Sequence, residues 1–289
     1  MNPNRIRFRL TTTGMFANLI RVVNAFEWAD TCDAVIVPKW RAKSCYGNSH
    51  RDAWDNYFER RVPACGPYRE RTNALNPRFS TEYNVAAVRE PIPYEQGESN
   101  RAMLEPRDRD LAWHLINLNR LRPKPYLIRK VNESQADLFA GHTVGLHIRG
   151  PGGLHGGAGQ YCRMLDESFP PYDLYFNLID RHLRNASRIL LCTDAGCVID
   201  RVRQRYGSRV MCPSRCILPL GEPHLIGYDN TYSPEELGED VVTDAWLLAR
   251  TDVLIHGCSS VSNFVLCLNP KLPHENVYRG CYEKMCVQG

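Results

Sequence analysis

The sequence predicts an α/β protein built on a parallel β-sheet, and three observations support that prediction. In the second half of the chain, short apolar runs rich in β-branched residues alternate with segments of helical periodicity. The helical segments are long enough to return the chain to the start of a neighbouring strand, as parallel pairing requires. The amino-terminal segment also places a helical pattern before a β-branched run. We therefore expect a doubly wound sheet.

The amino-terminal part opens with a turn at Gly14. The pattern predicts a helix from Phe16 to Thr31 and then a buried strand from Ala34 to Val37. The stretch from Arg41 to Tyr94 is rich in Pro, Gly, Asn and aromatic residues, which predicts irregular structure with short helices.

A domain boundary is expected between residues 125 and 140. A helix is predicted from Leu111 to Leu121, and the Arg-Pro-Lys-Pro run Arg122–Pro125 is predicted to end it. The chain then divides into an amino-terminal domain, residues 1–135, and a carboxyl-terminal domain, residues 136–289. The second domain is predicted to contain strands Thr143–Ile148, Arg188–Cys192, Arg209–Cys212 and Val253–His256, and helices Leu174–Arg184, Val198–Tyr206, Glu235–Ala249 and Ser260–Leu268.

The composition is that of a globular protein and excludes several classes of function. Of the 289 residues, 43% are hydrophobic and 24% are charged, and the net charge of +4 is too small to indicate nucleic-acid binding. No apolar run is long enough to cross a membrane, and Asn2 to Leu10 is too polar for a signal peptide, so we expect a cytoplasmic protein. The twelve cysteines are dispersed and form no pair of C-x-x-C motifs, which predicts free thiols and no structural zinc.

Candidate binding residues follow the predicted strands, where ligands of doubly wound sheets bind. His147 and Arg149 lie two apart at the end of one strand, before the glycine-rich segment Gly150–Gly159. A cation, an imidazole and exposed backbone N–H groups together form an anion site. The alternative is that Arg149 pairs with a protein carboxylate. The glycine-rich segment fits neither G-x-G-x-x-G nor a P-loop, which argues against a dinucleotide oxidoreductase or a P-loop NTPase.

Further polar residues follow two other strands or interrupt an apolar helix. Ser259 and Ser260 open a helix, where hydroxyls and unpaired N–H groups hold a diphosphate or simply cap the helix. Asp194 also follows a strand and is a candidate binding residue, with capping of the helix near Cys197 as its alternative. Asp244 lies within a largely apolar helix, so its carboxylate needs a donor, and a nucleobase edge is one candidate.

The D-x-D pair formed by Asp108 and Asp110 is typical of metal-dependent glycosyltransferases. Here it follows a proline-containing polar segment instead of an apolar strand. Acidic residues in the first turn of a helix are the better explanation, so we expect no metal ion.

These residues resemble the fucosyltransferase superfamily that contains the rhizobial nodulation and the eukaryotic core α1,6-fucosyltransferases. The family's H-x-R-R signature after a strand is matched by His147 and Arg149, with Gly150 in the last position. Gly14 and Asn18 are similar to the glycine-asparagine opening of the family.

Two further signatures carry the resemblance. The family's strand ending in T-D-D is matched by Thr193 and Asp194, with alanine in the last position. Its third signature, two aspartates and a serine at intervals of eight residues, is matched by Asp244, Asp252 and Ser260. The resemblance covers most of residues 11–40 and 143–268.

The resemblance implies a two-domain GT-B-type α/β fold, with two Rossmann-like domains, and an inverting glycosyl transfer without a metal or other cofactor. The implied donor is a nucleotide-diphosphate sugar, with GDP-fucose favoured, and the implied acceptor is an oligosaccharide or glycoconjugate. Arg149 then holds the diphosphate and stabilises the leaving group. The implied donor-binding residues are Gly14, Asn18, His147, Arg149, Asp194, Asp244, Ser259 and Ser260.

The catalytic base has more than one candidate. His155 lies in the glycine-rich segment and can accept the proton of the acceptor hydroxyl. Asp52, Asp55 and Glu59 are alternatives from the acceptor-side domain, with Asp55 the favoured carboxylate. Trp54 and Tyr57, beside Phe58, are candidates for stacking on acceptor sugars, although aromatic residues at that spacing more often belong to the core.

Two other functions stay open at this point. The second arginine of H-x-R-R is absent, so a UDP-sugar such as UDP-xylose is an alternative donor on the same fold. The chain can also be a binding protein for nucleotides or carbohydrates that lacks a base.

Overall fold

Two parallel sheets, one in each half of the chain, organise the fold. The computed structural model describes residues 4–10, 14–31, 34–40, 46–47, 52–60, 69–71, 106–116, 121–139, 141–149, 171–183, 187–217, 232–257 and 259–278. In the first half the described elements are β1 (Asn4–Arg9), α1 (Met15–Thr31), β2 (Ala34–Lys39), α2 (Trp54–Tyr57), β3 (Arg69–Arg71), α3 (Pro106–Leu115) and α4 (Pro125–Leu138). Strand β1 pairs in parallel with both β2 and β3, in the order β2-β1-β3.

In the described part of the second half, five strands form one sheet, all parallel, in the order β6-β5-β4-β7-β8. Its strands are β4 (Thr143–His147), β5 (Arg188–Cys192), β6 (Val210–Met211), β7 (Val253–His256) and β8 (His274–Asn276). The described helices of this half are α5 (Tyr172–His182), α6 (Gly196–Tyr206), α7 (Pro234–Leu248) and α8 (Ser260–Leu268). The prediction of an α/β fold with a parallel sheet in the carboxyl-terminal half is confirmed, and a parallel sheet in each half agrees with the GT-B type.

The register explains why the chemistry gathers at one edge. His147 at the end of β4 lies between Cys192 at the end of β5 and His256 at the end of β7. The three central strands are buried along nearly their whole length, as expected of a sheet covered on both faces. The residues that end these strands, and those that follow them, therefore lie side by side at a common edge of the sheet.

Helix α7 lies between this sheet and the first half of the chain, and its start is fixed by a capping box. Ser233 Oγ accepts from the N–H of Glu236 at 3.2 Å, and Glu236 Oε2 accepts from the N–H of Ser233 at 2.8 Å. The helix packs on α2 and α4 of the first half and on α8 of the second. One apolar cluster joins these elements with α1, so the core is continuous across the halves.

Several boundaries differ from the prediction for identifiable reasons. Helix α3 begins at Pro106 instead of Leu111, because proline suits the first helical position, and it is described as far as Leu115. Pro125, predicted to end a helix, instead opens α4, because the first helical position needs no N–H donor. Strands β1, β3 and β8 and helix α4 were not predicted. The division into residues 1–135 and 136–289 stays a prediction.

No helix in the described ranges is both long and apolar enough to cross a bilayer.

Candidate functional site

A cavity opens at the carboxyl edge of the five-stranded sheet, beyond β4 and β5. Its volume is about 690 Å³, including the open space at its mouth. Four of the predicted residues line it together: His147, Arg149, Asp194 and Asp244. The structure thus brings together side chains from three separate parts of the chain, as expected of a ligand site at this edge.

Arg149 supplies a cation to this cavity. Its Nε atom is buried and has no hydrogen-bond partner among the residues that the structure describes. Within the same residues, no carboxylate lies at ion-pair distance from Arg149, so the alternative of a protein ion pair finds no support. A buried guanidinium donor that lacks an acceptor favours an incoming anion.

His147 ties strand β4 to the start of α8. Its Nδ1 lies 3.2 Å from Ser262 Oγ and 3.4 Å from Ser259 Oγ, and the two hydroxyls lie 2.9 Å apart. Burial, reinforced by the charge of Arg149, lowers the pKa of His147 to about 4. The imidazole is therefore neutral at pH 7, and Arg149 is the cation of this pair.

Of the two serines at the start of α8, Ser259 caps the helix, as the capping alternative predicted. Ser259 is the N-cap residue, and its Oγ accepts from the N–H of Ser262 at 3.0 Å. Ser260 follows as the first helical residue and is half-buried. Ser262 was missed by the sequence reasoning, although its spacing of three from a serine N-cap was an available signal. A binding role for Ser259 and Ser260 stays a prediction.

Asp244 faces the cavity from α7 and already has a protein donor. Ser214 Oγ donates to its Oδ2 at 2.7 Å. Burial raises the pKa of Asp244 to about 7. One turn earlier, Asp240 accepts from the backbone N–H groups of Arg215 and Cys216 at 2.5 and 2.6 Å, which fixes the segment after β6 against α7. Ser214 and Asp240 were missed, because both act through a loop that the sequence does not place.

Asp194 lines the cavity but does not cap a helix. The N-cap position of α6 is Ala195, and that helix has no side-chain cap. Instead, the Oγ1 of Thr193 accepts from the N–H of Ala195 at 3.3 Å. The capping alternative for Asp194 is therefore wrong.

The predicted amino-terminal contacts are not among the described residues that line the cavity. Gly14 is exposed just before α1 and accepts at its carbonyl from the N–H of Asn18 at 3.2 Å. Asn18 itself is fully buried, and Arg21 donates to its Oδ1 at 3.3 Å. The prediction that Asn18 contacts the donor needs correction, since its side chain has no exposed surface.

The aromatic cluster proposed to stack on acceptor sugars is part of the core. Trp54, Tyr57 and Phe58 are at most 1% exposed. The Trp54 and Phe58 ring centroids lie 4.7 Å apart, and Tyr57 OH donates to the carbonyl of Pro234 at 2.6 Å. The acceptor-side role of Trp54 and Tyr57 is therefore wrong. The core alternative describes them correctly, because their faces are covered by other parts of the protein.

The carboxylates near this cluster serve a structural ion pair. Asp52 accepts at Oδ1 from the N–H of Trp40 at 2.7 Å and at Oδ2 from Arg60 at 2.6 Å. Arg60 also pairs with both oxygens of Asp55 and donates to the carbonyl of Pro38. Asp55 is thus held by a guanidinium and is not among the described residues lining the cavity. This corrects its prediction as a catalytic base.

His155 and the glycine-rich segment lie outside the described residues. Asp108 and Asp110 lie in the first turns of α3, which begins at Pro106, and Asp110 is exposed. The described ranges contain no cluster of three or more residues able to hold a metal ion.

A chain of buried and partly buried hydrogen bonds reaches this edge of the sheet from the first half. His256 Nδ1 lies 2.7 Å from the carbonyl of Gly257 and must donate to it, so its Nε2 accepts from His274 Nδ1 at 3.2 Å. His274 Nε2 then accepts from Arg109 of α3 at 2.8 Å. Burial lowers the pKa of His256 to about 3, so the ring stays neutral. The network assigns one tautomer to each histidine.

His256→Gln is expected to lower the free energy of unfolding by about 1 to 3 kcal/mol, because no donor remains for the Gly257 carbonyl. His256→Asn is the comparison variant: its amide N–H lies near the position of Nδ1, and the acceptor that it removes at Nε2 faces His274, which is half-buried and can bond to water, so its loss should be smaller. Urea unfolding of both variants measures the difference. Equal losses in the two variants would contradict the assigned tautomer.

The fold of this chain, with a parallel sheet in each half, is similar to the fold of solved fucosyltransferase structures, and at the level of the fold this agrees with the resemblance in the sequence. Among solved structures, the α-1,6-fucosyltransferase NodZ soaked with GDP-fucose is similar to this chain, with a TM-score of 0.54 and 16% identity over 93% of this chain and 94% of that one. The fucosyltransferase NodZ from Bradyrhizobium is similar with a TM-score of 0.53 and 18% identity, over 93% of this chain and 95% of that one. POFUT1 in complex with GDP is similar with a TM-score of 0.54 and 10% identity, over 95% of this chain and 98% of that one. Neither a protein-family model nor a curated protein sequence matches the chain.

Proposed function

We propose that this protein is an inverting glycosyltransferase that binds a nucleotide-diphosphate sugar, GDP-fucose by preference, in the cavity at the carboxyl edge of the sheet. The observation that carries the proposal is the buried Arg149 Nε, which lacks an acceptor in the described part of the chain and faces that cavity. The solved structures of the same fold that contain GDP or GDP-fucose support this class of donor.

The mechanism depends on stabilising the leaving group. As the glycosidic bond breaks, negative charge grows on the diphosphate, and a preorganised cation in a partly dry site lowers the energy of that state. Arg149 provides the cation. The amino-terminal end of α8, with Ser260 at its first position, adds N–H groups and a positive helix end. Neutral His147 holds this helix start beside Arg149.

The acceptor hydroxyl must lose a proton during transfer. Asp55 is paired with Arg60, so His155 is the base that we propose. The acceptor is an oligosaccharide or glycoconjugate in this proposal. His155→Gln should lower kcat with little change in the dissociation constant for GDP.

Asp244 makes donor binding depend on pH if it recognises guanine. A carboxylate accepts from both N1–H and N2–H of guanine, whereas the pairing edge of uracil offers only N3–H. With a pKa of about 7, Asp244 becomes ionised as the pH rises from 6 to 8. The affinity for GDP should therefore increase by about tenfold over this range. Calorimetric titration at several pH values measures this increase, and Asp244→Asn should abolish it.

The raised pKa of Asp244 also makes the free energy of unfolding depend on pH, and this dependence is opposite in direction to that of the affinity for GDP. Because the pKa of Asp244 is raised on folding, the native state keeps a proton that the unfolded state loses. The contribution of Asp244 to the free energy of unfolding should fall as the pH rises from about 4 through about 7.

A pH-independent GDP affinity in the wild-type chain would contradict the role of Asp244 in binding the guanine base.

Transfer should require no divalent metal, because Arg149 can neutralise the leaving group. Transfer from GDP-fucose is expected to continue after exhaustive chelation. Activity that is lost on chelation and restored by manganese would contradict this proposal.

A further inference from the structure

A second cavity lies at the opposite end of α8 from the donor cavity. The donor cavity is lined by Val261, in the first turn of the helix, whereas the second is lined by Leu268, its last residue, and Asn269. Parts of α3, α4 and the end of α7 complete its walls, so both halves of the chain contribute. Its volume is about 1450 Å³, including open space at its mouth.

Two tryptophans line this second cavity. Trp113 is 42% exposed, and among the described residues it is the only large hydrophobic side chain that is exposed. Trp246 is half-buried, and its ring centroid lies 5.7 Å from that of Phe264 in the core. The Trp113 side chain is therefore partly accessible to a ligand, and Trp246 is held by packing against the core. An exposed tryptophan at a concave site is typical of ligand contacts.

The charge around this cavity is strongly one-sided. Arg122, Arg129 and Arg250 line it, with Glu59 as the one carboxylate among the described lining residues. Arg250 donates to the neutral amide oxygens of Asn132 and Gln135. Burial lowers the pKa of Arg250, and no described carboxylate lies at ion-pair distance to offset that cost. An anion would offset it.

We propose that this second cavity binds an acidic saccharide, with the sugar ring against Trp113 and its anionic group beside Arg129 and Arg250. Tryptophan faces favour the apolar C–H surface of a sugar ring, and guanidinium groups bind carboxylate and sulfate with paired hydrogen bonds. An acidic saccharide can contact both the tryptophan surface and the arginine side chains of this cavity. The site is separate from the donor cavity, so its occupation does not depend on the proposed transfer.

Calorimetric titration of the full chain tests this inference. The probes are oligosaccharides of uronic acids, sulfated disaccharides derived from heparin, and neutral di-N-acetylchitobiose. At least one acidic probe should bind with a Kd below about 1 mM, and the neutral probe should bind at least about tenfold more weakly. The two acidic sets distinguish a carboxylate ligand from a sulfate ligand. Added salt should weaken binding of either.

Variants locate the binding and check the fold. Trp113→Ala and Arg129→Gln should each weaken the acidic saccharide by about tenfold, while Arg201→Gln, on the exposed face of α6, should not. Both affected residues are exposed, so the melting temperature and GDP affinity should stay at wild-type values. Binding of none of the acidic probes, equal binding of the neutral sugar, or binding unchanged in both variants would overturn the inference. Equal competition by inorganic sulfate alone would remove its saccharide part.

Discussion

Arg149→Ala is expected to weaken GDP binding by at least about tenfold and to slow transfer by a similar factor or more. A charge-assisted hydrogen bond contributes roughly 1.5 to 3 kcal/mol, and 1.4 kcal/mol corresponds to a factor of ten. The effect should be large because the side chain faces the cavity and its Nε has no acceptor among the described residues. Calorimetric titration with GDP measures the loss.

The control is Arg201→Ala, which removes the same charge from an exposed position on α6. Its GDP affinity should match the wild type, whereas Arg149→Lys should retain part of the affinity because it keeps the charge and loses the fork of donors. GDP affinity and transfer unchanged in Arg149→Ala would remove this residue from the donor site.

Gly238→Ala should destabilise the protein by about 2 kcal/mol or more, although alanine is the better helix former. A Cβ at Gly238 of α7 would lie 2.1 Å from Cζ of Tyr57, far inside van der Waals contact. Tyr57 is fully buried and its hydroxyl donates a hydrogen bond to the carbonyl of Pro234, so the ring cannot move aside without losing core contacts and this hydrogen bond. Thermal unfolding should show a melting temperature lower by about 4 to 8 °C.

Gly14→Ala is the matched control for this substitution, because no atom lies within 4 Å of the added Cβ. Its melting temperature should stay close to that of the wild type. A Gly238→Ala variant as stable as the wild type would contradict the packing of α2 against α7, and with it the continuity of the core between the two halves.

The elements that the sequence predicted best are those whose apolar runs have sharp ends. Strands β5 and β7 and helix α8 begin and end where predicted, because each is buried and flanked by polar or turn residues. Strand β1 was missed although its residues alternate in character, since three of its six residues are arginines. Helix α4 was missed because Pro125 is both a helix terminator and a favoured first helical residue, and only tertiary structure decides between them.

The candidate site was predictable where it follows a strand. His147, Arg149 and Asp194 lie where parallel strands end, and a common edge brings them together without detailed knowledge of packing. Ser214 and Asp240 depend on how one loop lies on α7, which no local pattern specifies. The aromatic cluster was misplaced because helical spacing does not tell which face a short helix buries.

The most direct test of the proposed function is donor hydrolysis. The full chain is incubated with GDP-fucose without an acceptor, and released GDP and free fucose are followed over time. Slow release of both products is expected, as is its loss in Arg149→Ala and its persistence in Arg201→Ala and after chelation. No release together with no binding of GDP at about 1 mM would contradict the proposal, as would hydrolysis of a UDP-sugar while GDP-fucose stays intact.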